Sequence, residues 1–199
     1  MIEIDALPQH PGALAALDIV TAREHPSIAN HSIRTYLWAL HEAARREMDP
    51  AKDFDPDLLY YACLLHDLGT ADDHDGPQRF EVEGADAAGA FLAARGLGPE
   101  QIDVVWEAIA LHTSPQIAER RGPVTMLTRL GVVSDFKDPG PEGRAVKAAI
   151  EERYPRLDFE AELTGAVVAQ ALRQQDKAPE FSWPGGLLRA HLGAQEAGA

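Results

Sequence analysis

A single cysteine, Cys63, stands among 199 residues. It excludes an internal disulfide and is compatible with a reducing compartment. Cys63 lies in the apolar run Tyr60-Tyr61-Ala62-Cys63-Leu64-Leu65. A small buried core residue is expected there, since a nucleophile needs a base and some exposure. Basic residues are scarce as well: 18 Lys and Arg face 32 Asp and Glu, a formal net charge of −14. So acidic a surface repels phosphate backbones and excludes general nucleic-acid binding. It favours solubility and leaves a local basic pocket for a small nucleotide open. No apolar run approaches the roughly 20 residues that cross a bilayer, so no membrane span is expected. The segment from Met1 to His10 has acidic residues and no basic stretch, unlike a secretory leader, and a cytoplasmic location is the expectation. Internal repeats and low-complexity tracts are also lacking. Val and Ile are scattered rather than alternating, so strands have little to build on.

What the chain has is helical patterning in an ordinary globular balance, 45% hydrophobic and 25% charged. The length suits one domain with a core that needs no disulfide. It is read as a single unit over residues 1–199, with a motif-bearing core at 27–136 and a helical extension at 143–192. Helical patterns cover residues 12–24, 28–46, 58–67 and 83–95. Gly98-Pro99-Glu100 opens another that stops before Pro115, and Gly122-Pro123 opens one that reaches Phe136. Two more cover 143–153 and 159–174, and a short last helix follows the Pro- and Gly-containing stretch 179–186. Residues 71–78, rich in Asp, form a loop, and 193–199 fray. The fold class is all-α, a compact bundle of about eight or more helices.

Polar residues on apolar faces carry the chemistry. His66-Asp67 ends the most apolar helix, where an acid is costly unless paired or metal-bound; a dipeptide merely ending a helix is the plain alternative. His31 shares a face with Ile28, Thr35 and Trp38 and is either a hydrogen-bonded core residue or a ligand. Arg34, one turn on, is either an ion-pair member or a substrate contact. His112 extends the stripe Ile102, Val105, Ile109, which turns it inward as ligand, proton donor or satisfied core residue. Asp135 ends the apolar stretch Leu130-Gly131-Val132-Val133-Ser134 and wants a cation or several donors unless solvent reaches it.

The order of these residues resembles the HD superfamily of metal-dependent hydrolases over residues 27–136. Four motifs are similar to its cyanamide hydratase-like branch: His31-Ser32-Ile33-Arg34-Thr35-Tyr36, Leu64-Leu65-His66-Asp67-Leu68-Gly69-Thr70, Arg79-Phe80-Glu81-Val82-Glu83-Gly84-Ala85 and Ala108-Ile109-Ala110-Leu111-His112-Thr113-Ser114. The resemblance implies a helical bundle in which His31, His66, Asp67 and Asp135 bind one divalent transition metal, Zn, Fe(II) or Mn(II). Dinuclear relatives carry two more histidines before the last Asp. Here that interval holds His74, which looks solvated, and His112, so one metal is expected. Glu81 and Glu83 are oxygen donors that keep a second one open.

The implied reaction is hydration or hydrolysis of a small molecule, metal-activated water adding to a nitrile-type carbon as in cyanamide to urea. His112 is the candidate proton donor. Asp67 and Asp135 would also orient the water, Arg34 would assist catalysis, and Thr70 and Thr113 would bind substrate. Arg79, Phe80 and Glu81 would form a substrate-facing lid or ion-paired support. Phosphate-ester hydrolysis is the competing activity, with Arg34 and Arg79 its only basic support within the motifs, and a non-catalytic metal-binding module is the other. The partner is a small-molecule substrate, and a homo-oligomer is open. The C-terminal segment either caps the pocket through Phe181 and Trp183 or simply packs.

Overall fold

The structure is a computed structural model that describes residues 7–50 and 52–197, Glu142 by its backbone alone. Of the segment Met1 to His10, expected not to be a secretory leader, the first six residues lie outside the described residues, as do the last two of the expected frayed end. The helices are α1 (Pro11–Arg23), α2 (Pro26–Arg45), α3 (Pro56–Leu65), α4 (Phe80–Ala93), α5 (Pro99–Leu111), α6 (Pro123–Phe136), α7 (Gly140–Arg153), α8 (Phe159–Arg173) and α9 (Trp183–Ala197). Among the described residues there is no strand, only one isolated bridge between Pro50 and Phe54. The all-α expectation holds.

Prolines set many of the boundaries. Pro11, Pro26, Pro56, Pro99 and Pro123 each stand in the first turn of a helix, where the missing N–H is not needed and φ is preset. At α3 the carboxylate of Asp55 accepts from the backbone N–H of Asp57 and of Leu58. That satisfies two of the donors a helix start leaves open. Every residue of α3 from Leu58 to Leu65 is buried, as an apolar surface on all sides requires. It forms the central helix, packed on α1, α2, α5 and α6.

Two differences from the sequence reading have local causes. Helix α4 begins at Phe80, three residues before the expected start, with acidic Glu81 and Glu83 in its first turn favoured by the positive helix end. Helix α9 is not short: it starts at Trp183 and runs 15 residues. Gly185 and Gly186 lie in its first turn, and the Ser182 hydroxyl accepts from Gly185 N–H at 3.1 Å.

The most extensive packing joins α2 to α6. Close approach depends on Gly131, where a Cβ would lie 2.3 Å from the carbonyl oxygen of Thr35. This contact brings His31 and Asp135, distant in sequence, side by side. A second close approach is at Gly69, just past the His66-Asp67 pair. A Cβ there would lie 1.9 Å from the Phe80 carbonyl oxygen, so only glycine lets α4 seat against this turn. The α8–α9 segment is fastened to the loop at 71–78. The buried Lys177 ammonium donates to Asp75 at 2.6 Å and to the Gly76 carbonyl at 2.8 Å, and Arg173 also donates to Asp75.

Candidate metal centre and its pocket

Three imidazoles and one carboxylate meet where α2, α3 and α5 converge. His31 comes from the second turn of α2, His66 and Asp67 from the end of α3, and His112 from the end of α5. All four are buried. His31 Nε2 and His66 Nε2 are 3.3 Å apart. Asp67 Oδ2 lies 3.2 Å from His66 Nε2 and 3.8 Å from His31 Nε2. His112 Nε2 lies 3.7 Å from Asp67 Oδ1.

The outer ring nitrogens explain why the inner ones converge. His66 Nδ1 is 2.8 Å from the Cys63 carbonyl oxygen, and His112 Nδ1 is 2.6 Å from that of Ile109. A carbonyl oxygen only accepts, so each Nδ1 carries the proton and turns an Nε2 lone pair inward. His31 Nδ1 is 2.7 Å from Asp135 Oδ2, which fixes the same tautomer. Phe159 of α8 stacks on the His31 ring, centroids 4.1 Å apart, and holds its plane.

This arrangement fits a cation. Asp67 Oδ2 is buried and has no hydrogen-bond partner, which is expensive for a carboxylate unless another charge meets it. Two imidazole nitrogens 3.3 Å apart need a shared proton or a shared metal between them. His31, His66 and Asp67 each offer one atom within 4.8 Å of the others. Two nitrogens and one oxygen are a donor set for a divalent transition metal. The electrostatics agree. Burial works to raise Asp67, but the surrounding imidazoles, His66 first, hold it well below the usual carboxylate range. Burial, the largest influence on His66, lowers it, yet Asp67 and the Cys63 carbonyl together lift it above its ordinary value. Burial depresses His31 despite its bond to Asp135.

Asp135 is brought beside this cluster but not into it. Arg34 Nε donates to Oδ1 and Arg34 Nη2 to Oδ2, both at 2.8 Å, and His31 takes the same Oδ2. Both carboxylate oxygens are thus engaged behind the imidazole, so the direct-ligand role expected from sequence is replaced by support of His31. Arg34 is likewise no substrate contact. It is fully buried, clamps Asp135 and donates through Nη1 to the carbonyls of Tyr154 and Pro155. His112 does not suit the proton-donor role. Burial pushes it down to about 4, and its inward Nε2 carries no proton at neutral pH.

A pocket of about 290 Å³ opens onto the cluster, walled by Pro115, Val132, Val133, Phe136, Leu163 and Trp183, with Thr113, Arg129 and Lys137 as its other polar members. Of the expected substrate contacts only Thr113 lines it. The Thr113 hydroxyl donates to Glu81 at 2.6 Å. Glu81 is fully buried and takes Arg79 at 2.6 Å, so Arg79 and Glu81 support Thr113 from outside the pocket. Glu81 is thereby engaged, and Glu83 accepts from the Gln78 backbone N–H, so neither joins the cluster. Phe80 is buried against His112 and Trp183. Thr70 donates back to the Asp67 carbonyl at 2.7 Å, turned away from the pocket. Trp183 lines the pocket as one of the two C-terminal aromatics considered, whereas Phe181 is 96% exposed.

Arg129 and Lys137 were missed by the sequence reading. The signal for Arg129 was available: Arg129, Val132, Val133 and Phe136 repeat at spacings of three, four and seven, one helix face. That face of α6 is the pocket wall.

The family model described as HD domain matches residues 28–164. Two proteins of Saccharomyces cerevisiae, Cyanamide hydratase DDI2 and Cyanamide hydratase DDI3, are each 30% identical over 140 residues, which cover 66% of this chain and 60% of the yeast proteins. The chain thus spans less than two thirds of the length of these relatives. The family match runs from α2 into α8, and it leaves α9 with Trp183 outside.

Proposed function

This chain belongs to the HD domain family, and from that premise we propose that it is a metal-dependent hydratase or hydrolase of a small molecule, with cyanamide-to-urea hydration as its reference reaction. The observation that carries the reading is the convergence of imidazole Nε2 atoms on the orphaned Asp67 Oδ2 at the edge of a small, largely apolar pocket. His31, His66 and Asp67 would hold the metal. When bound, a divalent metal supplies polarisation of the substrate and a lowered pKa for water. Asp135, fixed by Arg34, orients the His31 ring, the support that metal-ligating histidines commonly receive from carboxylates.

The remaining residues take defined parts. His112, neutral with Nε2 bare, accepts a proton from the attacking water instead of donating one, a base poised beside the cluster. Thr113, whose hydroxyl proton is committed to Glu81, offers its lone pairs to a substrate N–H. The apolar wall keeps bulk water out and limits size: about 290 Å³ is at or below the smallest of common ligand pockets, about 300–1,000 Å³.

Phosphate-ester hydrolysis is the weaker alternative: Arg34 is spent on Asp135 and Arg79 on Glu81, which leaves Arg129 in the pocket wall and the exposed Lys137 as the pocket's cations, few for a phosphate dianion. The test is turnover by metal-loaded protein of cyanamide, of short nitriles and amides, and of nucleoside monophosphates. Water addition to the nitrile or amide class supports the reading. Phosphate release from the monophosphates, with no turnover of the others, would overturn it.

A further inference from the structure

Two cations that no role assigned so far uses line the pocket, Lys137 and, deeper in the wall, Arg129. Arg129 shares the α6 face with Val132, Val133 and Phe136, and its side chain is only 17% exposed. Nη1 donates to the His112 carbonyl oxygen at 3.0 Å. This single bond ties the guanidinium to the end of α5, next in sequence to Thr113. Nε is buried and forms an ion pair with the Glu119 carboxylate at 3.6 Å, too long for a hydrogen bond, so its N–H has no acceptor. Nη2 makes no hydrogen bond to the described residues.

Capping the last carbonyl of α5 needs one N–H, and arginine presents five. An Nε that is buried without a hydrogen-bond partner is costly to keep, and the donors Arg129 presents exceed what a cap requires. Charge points the same way. The chain carries −14 overall, yet the charged residues lining this pocket are Asp67, which faces the imidazoles, and two cations, Arg129 and Lys137. Lys137 is exposed at the mouth, where it would draw an anion in. Arg129 is inside, where a charge-assisted hydrogen bond is strong.

Resting on the function proposed above, we infer that Arg129 is a specificity-determining residue and that the substrate is a small molecule bearing a carboxylate-type oxyanion. The oxyanion pairs with the Arg129 guanidinium while the reacting carbon faces the imidazole cluster. Bare cyanamide is then a minimal substrate, lacking the group that Arg129 recognises. A single guanidinium inside the pocket suits a monoanion better than a phosphate dianion.

The test separates the two ends of the pocket with binding probes. Monohydroxamates of malonic, succinic and glutaric acid are titrated calorimetrically into metal-loaded protein, each beside the alkyl hydroxamate of the same length. The hydroxamate reports the metal end, and the acid-to-alkyl ratio reports Arg129. At least one acid is expected to bind about tenfold or more tightly than its alkyl partner. Arg129→Gln should bring that ratio to near unity with unchanged metal content and unchanged alkyl hydroxamate binding, and Arg129→Lys should restore part of it. If Arg129→Gln unfolds, the neutral-amide analogues of the same acids on wild-type protein read the ratio instead. Equal binding of acid, amide and alkyl probes, or an acid preference that survives in Arg129→Gln, overturns the assignment. Failure of every hydroxamate to bind, with no metal retained, overturns the function beneath it.

Discussion

At the residue scale the account turns on which atoms are already spoken for. Asp135 has both oxygens taken by Arg34 and His31, so its effect on a bound metal is exerted through the imidazole. Arg34→Met keeps much of the side-chain volume and removes the charge. It leaves Asp135 buried with its principal cation gone, and breaking such a pair costs about 3–5 kcal/mol. A denaturant titration of the metal-free variant should show that loss, and the wild-type midpoint would contradict it. His112 gives the second expectation. Burial lowers it from an ordinary 6.5 to about 4, so between those pH values the unfolded chain binds a proton that the folded chain does not. Its contribution is therefore fully present above pH 6.5 and is lost as pH falls towards 4. Metal-free His112→Gln should lose less stability than wild type across that window, measured as the melting temperature at each pH. Equal slopes would show that burial does not depress the imidazole in the folded chain.

At the element scale the contact between α2 and α6 sets the site. His31 rides on one helix and Asp135 on the other, and Gly131 sets their spacing by facing the Thr35 carbonyl. Gly131→Ala puts a methyl 2.3 Å from a backbone oxygen, which cannot rotate away. The helices must part, at about 1–3 kcal/mol, and the His31–Asp135 bond lengthens with them. The variant should therefore lose metal affinity as well as stability; stability loss with unchanged metal affinity would uncouple this spacing from the site. The same scale shows what sequence carries. Helix starts were legible because proline and an N-cap acid act locally, as at Asp55 and Pro56. The length of α9 was not. A Gly-Gly pair reads as a break by propensity, whereas in the fold Ser182 caps the first turn and Trp183 packs on Phe80. Likewise His31, His66 and Asp67 could be picked out as polar residues on apolar faces. The engagement of Asp135 by Arg34 depends on how two helices from opposite ends of the motif region are turned, which spacing along the chain does not encode.

At the scale of the whole molecule, the centre ties together α2, α3 and α5, with α6 and α8 holding His31 through Asp135 and Phe159. A ligand bound there by the folded state alone stabilises every one of these helices at once. Metal at about 100 times its dissociation constant adds about 2.7 kcal/mol. Chelation should therefore lower the melting temperature and divalent metal should restore it, whereas Asp67→Asn should respond weakly to both. An identical response in Asp67→Asn would place the metal elsewhere.

The most direct measurement is X-ray absorption at the edge of the metal retained by protein purified without chelator, with the metal content of the same sample. The expected result is one transition metal per chain, with outer-shell scattering from two imidazoles and the remaining neighbours oxygen. A sample without stoichiometric metal, or a metal with no imidazole around it, would contradict the account.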